Sequence, residues 1–254
     1  MQIRNPSLPH FGLFRYAAPP EFYRLSGRAV PWFWALAAVL GAVGLYLGFF
    51  VAPIDAQQGQ MYRVMFVHVP TAWMAMFIYA VMAFWASLGF ILNTRISSVM
   101  ACALAPTGAL MAFLSLWTGA LWGRPAWGTY WDWDARMTST LILLFLYMGF
   151  MALHSAIEDV RRADRAAGVL ALVGVVNLPI IYFSVQWWNS LHQGSSISLG
   201  KSSSIAAPML LAMLAMALAC WMYCIAVVLT RARAIVLERE KDADWVRDLA
   251  GRPS

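Results

Sequence analysis

The stretch that decides the fold is SVMACALAPTGALMAFLSLWTGAL, residues 98–121, which contains no Asp, Glu, Lys or Arg. A helix needs roughly 20 apolar residues to cross the hydrocarbon core of a bilayer. Five further runs of this kind lie near residues 31–52, 65–92, 137–157, 168–186 and 205–229. We therefore predict an all-α integral membrane protein with six transmembrane helices, formed by a single domain that covers residues 1–254.

The composition leaves little chain outside the membrane. The 254 residues are 61% hydrophobic and 12% charged, whereas a soluble domain carries about 25% charged residues. Residues 1–30 and 230–254 are expected to be short tails. Because the N-terminal tail lacks an apolar core and contains several prolines and arginines, we expect no signal peptide.

The basic residues predict the orientation in the membrane. If both termini are cytoplasmic, fourteen of the Lys and Arg residues lie on the inner side and four on the outer side. Cytoplasmic loops carry such an excess of basic residues. We predict cytoplasmic N- and C-termini, and membrane lipid rather than nucleic acid as the partner that explains the net charge of +6.

One outer segment, WGRPAWGTYWDWDAR (residues 122–136), is unusually rich in aromatic residues. On a helix, Trp127, Tyr130, Trp131 and Asp134 would share one face, so we expect an amphipathic aromatic segment lying on the outer face. Scattered interfacial rings are common in membrane proteins, but this density exceeds a simple aromatic belt. Broad rings mixed with charges suit a large, flat, apolar ligand with charged edges, such as a porphyrin.

The histidines supply candidate metal ligands. His68 lies at the outer end of the second span, and His192 follows the fifth span on the same side. A pair of histidines beside aromatic residues favours axial ligation of haem iron, with a purely structural role as the alternative for each. His10 and His154 are expected not to be ligands.

Nearby charges complete the predicted site. An arginine can hold a carboxylate through two parallel hydrogen bonds, so Arg63, Arg124 and Arg136 are candidates for the haem propionates, with lipid phosphate as the alternative partner. Asp134 is expected to orient an arginine or a tryptophan N–H. Asp132, on the opposite helix face, is expected to be available to another protein.

The three cysteines lie in apolar spans and are expected to pack in the core. They are Cys102, Cys220 and Cys224, and no histidine follows the last two at the spacing of a covalent haem-attachment motif.

The string Trp127-Gly128-x-x-Trp131-x-Trp133-Asp134 resembles the tryptophan-rich "WWD" signature of the haem-handling proteins of bacterial cytochrome c maturation. With six spans and one histidine on each side of the signature, the whole chain is similar to the haem exporter protein C family. The resemblance implies a multi-pass protein of the bacterial inner membrane that is not an enzyme. It would bind haem b transiently and without a covalent bond at the periplasmic face.

The resemblance also implies site residues and partners. His68 and His192 would be the axial ligands of the haem iron. The cofactor-binding residues would be Trp122, Trp127, Gly128, Tyr130, Trp131, Trp133 and Asp134, together with Arg63, Arg124 and Arg136. The partners would be a periplasmic haem chaperone, the ATPase and permease subunits of an ABC transporter, and a small single-span protein.

Three other functions remain open from the residues. A cytochrome b-like electron carrier would need paired histidines deep in the helices, and only His68 and His154 fall within spans, at opposite ends. A permease for a small solute would usually need polar groups near the middle of the membrane, where Asn177 and Thr107 are the main candidates. An enzyme would need a nucleophile, a base and a group that orients the base, and the outer segments offer only serines beside His192.

Overall fold

A computed structural model describes residues 18–188, 190, 192, 205–249 and 251. Over these residues the chain is helical and contains no strand, and six helical spans are long and apolar enough to cross a membrane. The helices are α1 (Pro19–Tyr46), α2 (Met65–Leu92), α3 (Arg95–Trp127), α4 (Ala135–Ala156), α5 (Val160–Gly174), α6 (Asn177–Trp187), α7 (Ala207–Arg239) and α8 (Asp244–Leu249). The predicted fold class and the six spans are confirmed.

The first and last long helices extend further than the apolar pattern indicates. α1 begins at Pro19 rather than near residue 31, and α7 continues to Arg239 rather than to residue 229. Proline is favoured in the first turn of a helix, and the two extensions bind each other. The Arg233 guanidinium lies 3.7 Å from the centre of the Tyr23 ring and also donates to the Tyr23 carbonyl. Parts of the expected tails are therefore packed helix.

The fifth span is broken into two helices. α5 ends at Gly174 and α6 begins at Asn177. Pro179 lies in the first turn of α6 and has no N–H to donate to the Val175 carbonyl, so one helical hydrogen bond is missing across the break. The Asn177 side chain instead donates to the Ser139 carbonyl at 2.8 Å, which ties α6 to α4. This hydrogen bond gives a partner to Asn177, a polar residue inside the predicted fifth span.

α3 is the central helix of the bundle. In its most apolar window 61% of the residues are buried, against 11–33% in the other five spans. It packs on α2, α4 and α7, and α1 packs on α7. The three cysteines are free thiols, and Cys224 is buried in the core as expected. The apolar middle of α3 is therefore packed on several sides, while its last turns are more exposed.

The two ends of the bundle differ in character. The aromatic end comprises residues 47–64, the connection 128–134 between α3 and α4, and the described residues Trp188, Ser190 and His192 after α6. The basic end comprises the start of α1, the α2–α3 and α4–α5 turns, and the end of α7. The candidate site lies at the aromatic end, which the charge pattern predicts to be periplasmic.

A close approach between α3 and α4 holds the core together. Tyr147 is fully buried, its hydroxyl donates to the Ala75 carbonyl at 2.8 Å, and its ring stands edge-on to Tyr79 at 5.0 Å. The ring lies directly against Gly108, where an added Cβ would overlap it. Gly108 thus makes room for a tyrosine that connects three helices.

We expect Gly108→Ala to destabilise the protein, although alanine favours helix by about 1 kcal/mol. Displacing the Tyr147 ring from a packed core should cost roughly 1–3 kcal/mol and weaken its hydrogen bond to Ala75. Thermal unfolding in detergent measures the effect. The control is Gly41→Ala, where the new Cβ would lie 3.8 Å from Ala219 Cβ and should leave stability unchanged or slightly higher. Equal stability of the two variants would contradict the packing argument.

Candidate ligand site at the aromatic end

The predicted amphipathic helix over residues 127–134 is wrong. α3 continues through Trp122 to Trp127, and Gly128 then ends it in the left-handed region (φ 82°), with its N–H bonded to the Arg124 carbonyl. Asp134 begins α4, because its side chain accepts from the Met137 N–H at 2.7 Å. Glycine just after a helix and aspartate at an N-cap are strong stop and start signals. They leave only a short non-helical connection between them.

Local contacts shape this connection. The Thr129 hydroxyl donates to the Trp131 carbonyl at 2.9 Å and accepts from the Trp131 N–H at 3.3 Å. The rings of Trp131 and Trp133 meet edge-on at 5.3 Å. Trp133 is 74% exposed and Tyr130 is also exposed. The connection therefore presents aromatic rings on its outer side while Trp131 lies partly inside.

His68 is held against α3 by a hydroxyl group. Its Nδ1 lies 3.1 Å from the Thr118 Oγ1. The Thr118 hydroxyl can donate to the Leu114 carbonyl at 2.6 Å, and the Nδ1–H of His68 then donates to Thr118. Gly119 permits the approach, since an added Cβ there would lie 2.9 Å from the imidazole Cε1. In that tautomer the Nε2 of His68 carries the lone pair of the ring.

His192 also carries its ring proton on Nδ1, but its partner is a carboxylate. Its Nδ1 lies 2.9 Å from Asp134 Oδ2, and an ionised carboxylate can only accept. Ser190 also donates to Asp134 Oδ2, and the His192 N–H donates to Ser190 Oγ at 3.1 Å. Metal-ligating histidines commonly donate their second ring N–H to a carboxylate in this way. The Nε2 of His192 is therefore available as a ligand atom.

The electrostatics keep His192 neutral and Asp134 ionised. Burial lowers the pKa of His192 below its usual 6.5, although hydrogen bonding to Asp134 raises it in part. Burial opposes ionisation of Asp134, but hydrogen bonds from Ser190, the Met137 N–H and His192 outweigh it and lower the pKa of the carboxyl. At neutral pH the His192 imidazole is thus uncharged, which is the form that coordinates metals.

Both histidines adjoin tryptophans at the end of α3. Trp122 stands edge-on to His68 with the ring centres 5.7 Å apart, and Trp127 lies 4.8 Å from His192. The two imidazoles are close enough for the charge on one to act on the other. The structure thus places each predicted ligand beside one of the predicted aromatic residues.

The three predicted arginines differ in their partners. The Arg63 guanidinium bonds the Gly48 and Ala52 carbonyls and the Gln60 side chain, so it ties the end of the first span to the turn before α2. Arg124 bonds the Gly128 carbonyl and lies 5.6 Å from the Tyr130 ring centre. Arg136 reaches Ser184 Oγ at 3.2 Å and the Tyr182 carbonyl at 3.4 Å. Of these, Arg124 is exposed and has the most freedom to bind a further anion.

The expected surroundings of the two aspartates need correction. The hydrogen bonds found for Asp134 among the described residues come from Met137, Ser190 and His192, and its interaction with Arg136 is one of charge alone. Asp132 was expected on the opposite face of a helix that does not form. It is half-buried, and its charge acts on His192.

Sequence reasoning missed three polar residues of the site. Thr118 and Ser190 orient the two histidines, and the Gln58 side chain accepts from the Trp122 indole N–H at 2.8 Å. Thr118 lies one helical turn before Trp122 and Ser190 lies two residues before His192, so spacing could have indicated both. The contact of Gln58 spans a long sequence separation, and no local pattern predicts it.

Comparison with known proteins gives one consistent result. Residues 12–247 match the family model described as heme exporter protein C. A heme exporter protein C of Bradyrhizobium diazoefficiens is 48% identical over 228 residues, which cover 89% of this chain and 86% of the relative. Proteins of the same name from Escherichia coli and Haemophilus influenzae are 44% and 45% identical over 238 residues. These cover 93% and 94% of this chain and 96% and 97% of the relatives.

The hydrogen bond between His192 and Asp134 can be tested by titration of His192. We expect Asp134→Asn to lower the pKa of His192 further, because the carboxylate raises it against the effect of burial. Asp132→Asn should lower the pKa by less, since Asp132 acts through charge alone. NMR of ring-labelled histidines, assigned with His192→Gln, measures both shifts. An unchanged or raised pKa in Asp134→Asn would contradict the assigned hydrogen bond.

Proposed function

The chain belongs to the haem exporter protein C family, and we propose that it binds haem b reversibly at the periplasmic face of the inner membrane. His68 and His192 are the proposed axial ligands of the iron. The protein then passes haem to a periplasmic haem chaperone during c-type cytochrome maturation. In this role haem is the cargo, and the protein is a multi-pass membrane transport component rather than an enzyme.

The observation that carries the proposal is the matched state of the two imidazoles. The Nδ1 of His68 faces the Thr118 hydroxyl, and the Nδ1 of His192 faces the Asp134 carboxylate, so both contacts favour a proton on Nδ1. Each ring is left with an Nε2 lone pair, which is the atom that binds haem iron in an axial position. Two half-buried histidines with a purely structural role would not both need to keep Nε2 unprotonated.

The neighbouring rings suit a porphyrin. Trp122 and Trp127 contact the two histidines, and Tyr130, Trp131 and Trp133 lie on the connection that follows. The buried indole N–H of Trp131 has no hydrogen-bond partner among the described residues. A buried donor without a partner costs about 1–3 kcal/mol, and a haem propionate would supply an acceptor. The backbone bend at Gly128 gives the connection its position beside the ligands.

The arginines proposed to bind the haem propionates are ranked by how few hydrogen bonds they already make. Arg124 is the first candidate because it is exposed and bonds one backbone carbonyl, and Arg136 is the second. Arg63 would have to give up bonds to Gly48, Ala52 and Gln60, so its contribution is through the fold around α2. Lipid phosphate remains the competing partner for Arg124.

Transfer to a chaperone needs an open edge. Trp133 and Tyr130 are exposed and form the proposed contact surface for the chaperone, with Asp132 beside them. The ATPase and permease subunits of an ABC transporter and a small single-span protein are the other proposed partners. The membrane itself surrounds the remaining exposed apolar faces.

The electron-carrier alternative loses its support from His154. That histidine lies at the basic end, where its Nε2 is 3.0 Å from Asp164. It cannot pair with His68 on one haem. A permease would need a polar route, and Asn177 and Thr107 are engaged by Ser139 and Arg231 instead.

We expect His68→Ala and His192→Ala each to convert six-coordinate haem to a five-coordinate or haem-free form. The absorption spectrum of the detergent-purified, haem-supplied protein measures this change. His10→Ala and His154→Ala are the controls, and both should keep the wild-type spectrum. Wild-type spectra in both test variants, or no haem binding in the wild type, would overturn the proposal and favour an aromatic belt around a permease.

Removing the hydroxyl that faces His68 tests the orientation of this ligand directly. Thr118→Val keeps the shape of the side chain but removes the acceptor for His68, and it should lower haem affinity by about 10–100-fold, as losses of outer-shell partners do. Thr138→Val is the matched control, because the buried Thr138 hydroxyl has no partner among the described residues. Haem titration measures both. Equal affinities would show that Thr118 does not position the ligand.

A further inference from the structure

We propose a second, metal-ion site at the basic end of the bundle, formed by Cys102 of α3, His154 of α4 and Asp164 of α5. The ligand class is a divalent transition metal of the Zn²⁺ type. The site is independent of haem binding, since His68 and His192 lie at the other end of the helices.

The geometry of the three side chains carries the proposal. Their ligand atoms all lie within 4.8 Å of one another. His154 Nε2 is 3.0 Å from Asp164 Oδ1, and Cys102 Sγ is 3.7 Å from the same oxygen. In a tetrahedral zinc site with the usual bond lengths, neighbouring N and O ligands lie about 3.3 Å apart and S and O ligands about 3.5 Å apart. Small side-chain movements would therefore place all three atoms on one ion.

The chemistry of the set points to zinc rather than to magnesium or calcium. Thiolate, imidazole and carboxylate are the three ligand types of protein zinc sites, whereas harder cations select oxygen ligands. Within the described residues, no other group of three His, Cys, Asp or Glu side chains converges in this way. Three ligands leave a fourth position, which water or the Ser98 hydroxyl can fill, since Ser98 belongs to the same cluster.

A cation already occupies the centre of the cluster. The Arg239 guanidinium contacts Asp164 at 2.9 and 3.0 Å, Ser98 Oγ at 3.0 Å, His154 Nε2 at 3.2 Å and Cys102 Sγ at 3.7 Å. These four side chains thus surround one positive group. Arg239 is the last residue of α7, so its long side chain can swing outward and leave the ligands to a metal.

The Nε2 of His154 cannot form good hydrogen bonds to Asp164 and to Arg239 at the same time. Its Nε2 faces the acceptor Asp164 and the donor Arg239. A protonated Nε2 opposes the guanidinium, and an unprotonated Nε2 opposes the carboxylate. A metal ion removes this conflict, because the nitrogen and the carboxylate oxygen would then both donate electron pairs to the same cation.

The charges balance when a metal is bound. A divalent ion with the Asp164 carboxylate and the Cys102 thiolate sums to zero, and its binding releases the thiol proton and any proton on His154 Nε2 to water. Metal binding would tie α3, α4 and α5 together and free the end of α7.

The test uses Co²⁺ as the probe, added to chelator-treated full-length protein in detergent. We expect a thiolate-to-cobalt charge-transfer band in the wild type, which is lost in Cys102→Ser and in His154→Ala. Arg239→Gln removes the competing cation and should tighten Co²⁺ binding by at least about tenfold. Such a gain cannot result from misfolding. Circular dichroism checks that each variant remains helical.

Two controls separate this site from others. The band should persist when Cys220 and Cys224 are both changed to Ser, and also in the His68→Ala, His192→Ala double variant, where the proposed haem ligands are missing. Absence of the band in both the wild type and Arg239→Gln would overturn the proposal. Persistence of the band in Cys102→Ser, or its loss in either control, would do so as well.

Discussion

The Asp134 carboxylate joins the fold to the candidate site. One oxygen caps the first turn of α4 through the Met137 N–H, and the other accepts from His192 and Ser190. Only 7% of the residue is exposed, so losing a partner would leave the buried charge with fewer hydrogen bonds, which is costly. The start of α4, the course of the 128–134 connection and the direction of the His192 ring therefore depend on each other.

A general constraint of membranes explains why the rest of the site is built on helix ends. Irregular backbone inside the hydrocarbon core leaves polar groups without partners. The buried central helix α3 carries Trp122 and Trp127 to the aromatic end in regular structure, and the chain becomes irregular only after Gly128. His68 follows the same logic, because it sits in the first turns of α2 and uses the α3 residue Thr118 as its acceptor. The site thus combines rigid helix turns with one short connection.

The sequence predicted the parts of this arrangement that depend on composition and local signals. Six apolar runs were enough to place six spans, and the positions of His68 and His192 indicated a shared outer face. The spacing of aromatic residues over 127–134 predicted a helix that does not form. Gly128 ends α3 and Asp134 caps α4, and these local signals decide the structure there. Contacts such as Arg63 with Gly48, or Arg239 with Cys102, join residues far apart in sequence. These contacts follow from tertiary packing, which local sequence patterns do not predict.

The central claim is that two protein imidazoles bind one haem iron through Nε2. Pulsed electron paramagnetic resonance of the ferric, haem-loaded protein with ¹⁵N-labelled histidine counts these ligands directly. The account predicts low-spin iron with hyperfine couplings to two labelled imidazoles, and to one in His192→Ala. Iron coupled to one labelled imidazole or none in the wild type would contradict it.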